Sequence, residues 1–80
     1  MDKDVARHMI RAGFRCSREL QDVMLLLKGQ MPEDAYAPAA HRIAAAMAAV
    51  GDALTATALA AHPELEAEIE SSLARYDRYL

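Results

Sequence analysis

Residues 43–61 read IAAAMAAVGDALTATALAA. Alanine is the strongest helix former, and Ile43, Met47, Val50, Leu54 and then Ala58 or Ala61 recur every three or four positions, the spacing of one helix face. Gly51, Thr55 and Thr57 weaken the helix locally. A glycine inside so alanine-rich a helix suggests close approach by a neighbouring backbone, which places that contact at Gly51. Pro63 ends the segment at His62. The start falls between Asp34, a good N-cap, and Pro38, which suits a first turn, giving a helix over about 35 to 61.

The same stretch is about long enough to cross a bilayer of ~30 Å. Its one charge, Asp52, sits at the centre, where insertion costs roughly 2.5–3.5 kcal/mol, and alanines return little transfer energy to offset it. It reads as a buried helix of a soluble protein, with no membrane partner.

Upstream, Val5, Met9, Ala12, Cys16, Leu20, Val23 and Leu27 form a stripe at spacings of three and four, predicting a first helix over about 4 to 28. Lys28 complements the negative end of the helix dipole, and Gly29 can take the left-handed cap. Downstream, Pro63 opens a third helix over about 63 to 78, with Glu64 and Glu66 at its positive end and Arg75 and Arg78 at its negative end. Leu65, Ile69, Leu73 and Tyr76 form its apolar stripe. β-branched and aromatic residues are scarce and nowhere alternate, so strands are disfavoured. The fold class expected is all-α: two long antiparallel helices and a shorter C-terminal one.

Eighty residues make a single domain. Hydrophobic residues are 54% of the chain, 18 of them alanine, and the net charge is −3, which suits neither a disordered tail nor a strongly basic nucleic-acid clamp. Cys16 is the only cysteine, and the acidic Met1-Asp2-Lys3-Asp4 start lacks the basic leader and apolar run of a signal peptide. The expected location is the cytoplasm.

The apolar surface exceeds what one short bundle hides. Val23 to Leu27 are five consecutive apolar residues, Ile10 and Phe14 lie on a different side from Met9, Ala12 and Cys16, and the second helix is alanine nearly all round. An exposed remainder of that size marks an interaction site, and a two-fold pair is the commonest way to cover it. The expectation is a homodimeric helical bundle, with Ile10, Phe14, Met24, Leu25, Leu26, Met47, Val50 and Leu54 as interface candidates.

Chemistry-bearing patterns are few. No phosphate loop, nucleophile elbow, or His-Glu-x-x-His or Glu-x-x-His pair occurs, and His8, His41 and His62 fall on three elements. No enzyme activity, cofactor or metal is expected. Cys16 belongs to the first helix's stripe and reads as core.

The sharpest feature is Arg7, Arg11, Arg15 and Arg18 on one face of the first helix, the candidates for an anionic partner. Arg15 with Glu19 and Arg18 with Asp22 are spaced for local ion pairs. Residues 63–80 hold five acids against two arginines, whereas residues 1–28 hold six bases against four acids. The economical reading is that the basic first helix and the acidic third complement each other. Arg75, Arg78, Tyr79 and Leu80 remain as docking candidates, with Tyr76 assigned to the core and packing against the first helix favoured for the tyrosines. Together these features predict a small helical interaction or regulatory protein that pairs with itself and can contact another protein. The alternatives are a nucleic-acid module using the arginine stripe, which the acidic composition argues against, or a small-ligand or metal sensor.

Overall fold

A computed structural model describes all 80 residues. The chain is all-α, with three helices and no strand: α1 (Lys3–Lys28), α2 (Glu33–Ala61) and α3 (Leu65–Tyr76). Asp2 caps α1, its carboxylate accepting the Val5 N–H at 3.4 Å. Gly29 closes the helix with a right-handed φ of −87°, so the left-handed cap expected there does not form. Its N–H instead reaches the Leu26 carbonyl at 3.3 Å, and the Met31 N–H reaches that of Leu27 at 3.1 Å.

α2 begins earlier than the proline suggests. Pro32 precedes its first residue, Asp34 lies inside the first turn instead of capping it, and Pro38 sits in the second turn, where its ring nitrogen cannot bond the Asp34 carbonyl. Gly51–Ala56 is wound as a π-helix between the α-helical stretches Glu33–Val50 and Thr57–Ala61. The wider turn shifts the register. Leu54, Thr55 and Ala58 thereby follow one another toward α1, and Ala58 is fully buried whereas Ala61 is exposed.

The close approach occurs at Gly13 of α1, not at Gly51. A β-carbon on Gly13 would lie 2.9 Å from Thr55 Oγ1 and 3.5 Å from Leu54 Cβ, whereas one on Gly51 would meet nothing within 4 Å. Buried Ala6, Ile10 and Gly13, continued by the half-buried Ser17, Leu20, Met24 and Leu27, form the true inward face. The stripe expected to be core lies to one side of it: Val5, Cys16 and Val23 are exposed. Small side chains at Ala6, Gly13 and Ser17 let α2 come near, so packing depth prevails over hydrophobicity in choosing the face.

Pro63 and Glu64 form a turn, not the start of a helix, and α3 begins at Leu65. It returns alongside α1 in the same direction, matching Lys3 with Glu64 and Arg7 with Glu68. The core lies where all three helices meet, and comprises Ala6, Ile10, Ala58, Leu65, Ile69 and Tyr79. Beyond it α1 and α2 continue as a two-helix arm, and no residue of Glu33–Val50 is buried.

Candidate functional site

The arginine face divides in two. Arg7 is held by α3: its Nε donates to Glu68 Oε1 at 3.0 Å, its Nη2 to Glu68 Oε2 at 3.1 Å, and its Nη1 to Asp4 at 2.7 Å. The two carboxylates, Glu68 foremost, raise the Arg7 pKa above its ordinary value. Hydrogen bonds from Arg7 and then from Tyr79 draw the Glu68 carboxyl below the usual carboxylate range. Lys3 lies 3.5 Å from Glu64. The complementarity of α1 and α3 is thus realised within one chain, which removes Arg7 from the residues free for an anionic partner.

Arg11 is absorbed differently. It donates to the Leu80 carbonyl oxygen at 2.9 Å, and its guanidinium lies 5.1 Å from the centre of the Tyr79 ring. Arg15 and Arg18 remain exposed, and neither forms the local ion pair that Glu19 and Asp22 offered.

The C-terminal residues reverse the expectation for the tyrosines. Asp77 takes a left-handed conformation with φ of 61°, ending α3 and turning the chain back. Ser72 Oγ donates to the Arg78 carbonyl at 2.7 Å and accepts the Leu80 N–H at 3.0 Å, which fastens the returning strand of chain. Tyr79 is therefore the buried tyrosine, packed at a tilt against Phe14 with ring centres 6.2 Å apart, while Tyr76 is half exposed. The Tyr79 hydroxyl donates to Glu68 Oε1 at 2.9 Å. Burial first, and then this bond, raises the Tyr79 pKa. The turn at Asp77 has no glycine to announce it, so the stripe Leu65, Ile69, Leu73, Tyr76 was extrapolated past the point where it faces the core.

The interface candidates also divide. Ile10 is fully buried in the chain's own core and Phe14 packs against it, so these two are not free surface. Met24, Met47, Val50 and Leu54 are half-buried along the arm. Leu25 and Leu26 are 63% and 65% exposed, and Val23 is 43% exposed. Of the expected α1 stripe, Val5, Cys16 and Val23 are exposed on the flank away from α3, whereas Met9, Ala12, Leu20 and Leu27 are half-buried, and an open hollow there is lined by Cys16, Leu20 and Val50 together with Arg15, Arg18 and Glu19.

No group of three or more histidine, cysteine, aspartate or glutamate side chains converges. His62 bridges α2 to the chain start, contacting the Met1 carbonyl oxygen at 2.7 Å and Glu64 at 3.1 Å. His8 and His41 are exposed on separate helices. By length and composition α2 passes the test for a membrane-crossing helix, although Asp52 lies exposed within it. No protein-family model matches this chain, and no curated protein or solved structure matches it.

Proposed function

We propose that this chain is a small interaction or regulatory protein without catalytic machinery, acting in the cytoplasm by pairing with a second copy of itself through the arm and the open flank of α1. The supporting observation is area. A folded monomer of 8.8 kDa exposes about 4,800 Å² by the usual scaling, whereas this chain exposes 5509 Å². The excess of about 700 Å² per copy is close to what each partner buries in a standard interface, about 800 Å². Shape agrees: the radius of gyration is 14.8 Å, against about 12 Å for a compact domain of this length.

A second copy fits better than lipid or nucleic acid. On α1 Val5, Cys16 and Val23 are exposed, as are Leu25 and Leu26 near the end of the arm, and two such arms laid together make a four-helix bundle that covers this apolar surface. A bilayer would have to accommodate Asp52 and the charged flank of α1, and a nucleic acid would find Arg7 and Arg11 already engaged. Pairing makes the melting temperature rise with protein concentration, as mass action requires. Val23→Lys, on the open flank, removes that rise while leaving the dilute-limit melting temperature within a few degrees, since exposed substitutions typically change stability by ~0.5 kcal/mol or less. A wild-type melting temperature independent of concentration overturns the proposal. Co-sedimentation with neutral lipid vesicles in place of self-association reassigns the flank to a membrane.

A further inference from the structure

The structure assigns a second site: the cleft between the outer side of α1 and the returning C-terminal residues is built to bind a compact phosphate ester that carries a ring, a ligand of the nucleoside phosphate class. Arg11, Arg15 and Arg18 from α1 and Arg78 from the tail line one hollow of about 270 Å³, with Phe14 and Tyr79 among its walls. Two sets of residues far apart in sequence, the arginine stripe and the C-terminal docking residues, are thereby brought to one place. Asp77 creates this juxtaposition by turning the chain, and Ser72 holds it.

Charge makes the hollow unusual. The chain carries a net −3, yet four arginines line this hollow, Arg11 among them already bonded to the Leu80 carbonyl oxygen. Arg15, Arg18 and Arg78 form no salt bridge, although Glu19 and Asp22 stand one helical turn away from the first two. Like charges gathered in one hollow repel each other, and an anion relieves that repulsion. Guanidinium groups bind phosphate oxygens through paired N–H donors, which favours phosphate over a simple halide. Phe14 supplies an apolar wall for a ring, beside the largely buried Tyr79, the two aromatic centres standing 6.2 Å apart. Size and surroundings favour a compact ligand. The volume is at the lower limit of small-molecule sites, about 300–1,000 Å³. Asp77 lines the adjoining hollow, and Glu66 and Glu70 lie exposed on α3, so a long polyanion would run into carboxylates.

This site does not depend on self-association. At 100° per residue the arginine face centres roughly 140° around α1 from the apolar stripe, although Arg15 and Arg18 also border the hollow beside Cys16 and Leu20. The test uses the full chain, with ADP, pyrophosphate and a single-stranded oligothymidylate as probes in calorimetry and thermal melting. ADP is expected to raise the melting temperature, with affinity that falls as salt rises. Arg15→Ala with Arg18→Ala removes two exposed side chains from a helix that favours alanine, and is expected to weaken ADP about tenfold or more while leaving the unliganded melting temperature nearly unchanged. Pyrophosphate is expected to bind several-fold more weakly than ADP for want of the ring. No thermal shift with ADP, or equal ADP affinity in the double variant, overturns the site. Equal affinity for pyrophosphate and ADP removes the ring from the claim, and tighter, more salt-sensitive binding of the oligonucleotide replaces the compact ligand with a nucleic acid.

Discussion

Gly13→Ala and Gly51→Ala place the same substitution in two helix interiors and are expected to move stability in opposite directions. In each helix alanine is favoured over glycine by about 1 kcal/mol. At Gly51 the backbone is right-handed, with φ of −59°, and the new methyl meets nothing within 4 Å. The gain is kept, and a domain of this size responds with a rise of roughly 4–8 °C in melting temperature. At Gly13 the methyl would lie 2.9 Å from Thr55 Oγ1. Thr55 is short and branched at Cβ, so its hydroxyl cannot swing clear as the end of a long side chain would. Overpacking costs about 1–3 kcal/mol, which cancels or outweighs the gain and leaves Gly13→Ala between neutral and about 2 kcal/mol destabilising. Thr55→Ala removes the clashing oxygen, leaving the ordinary 3.5 Å contact with Leu54. A double-mutant cycle on Gly13→Ala and Thr55→Ala should therefore show a favourable coupling of about 1 kcal/mol, measured by denaturant unfolding. If Gly13→Ala stabilises as much as Gly51→Ala and shows no coupling to Thr55, α1 and α2 do not meet where described.

Stability is expected to form a plateau, bounded on the acid side by Glu68, held chiefly by Arg7, and on the alkaline side by Tyr79, held chiefly by its burial. Glu68 has a folded pKa below its unfolded value of about 4.3, so its contribution is complete above that pH and is lost as pH falls through the folded value. Tyr79 has a folded pKa above its unfolded value of about 10, so its contribution is complete below that pH and is lost as pH rises through the folded value. Melting curves of Glu68→Gln should lack most of the acid limb and those of Tyr79→Phe most of the alkaline one; unchanged limbs would show that other groups set them. Cys16 is exposed in the single chain and lies on the open flank of α1. Its labelling by a thiol reagent should slow several-fold as protein concentration rises through the dimer dissociation constant, whereas a concentration-independent rate places Cys16 outside the paired surface.

The all-α class and the helix breaks were legible because proline, glycine and alanine act locally. Gly29, Pro32 and Pro63 fall between the helices that form, and the Ile43, Met47, Val50, Leu54, Ala58 face of α2 does turn inward, each of its members being buried or half-buried. The inward face of α1 was not legible. Two stripes compete on that helix, and the more hydrophobic one loses to the face of Ala6, Ile10 and Gly13, since the small residues Ala6, Gly13 and Ser17 allow a second backbone near while Ile10 fills the core. Gly13 itself was the available signal: a glycine midway along a helix costs about 1 kcal/mol and implies a reason for its presence. The arginine cleft was hidden for a different reason. It depends on a left-handed turn at Asp77, where no glycine marks the position, and on Ser72 fastening the tail, contacts that neither periodicity nor composition encodes.

The proposed pairing rests on apolar surface that one copy leaves uncovered. Sedimentation equilibrium on the purified chain at micromolar to high-micromolar concentration measures the pairing directly. The mass is expected to climb from 8.8 kDa toward twice that value as concentration rises, and to stay at the single-chain value in Val23→Lys. A wild-type mass that stays at the single-chain value throughout contradicts the pairing.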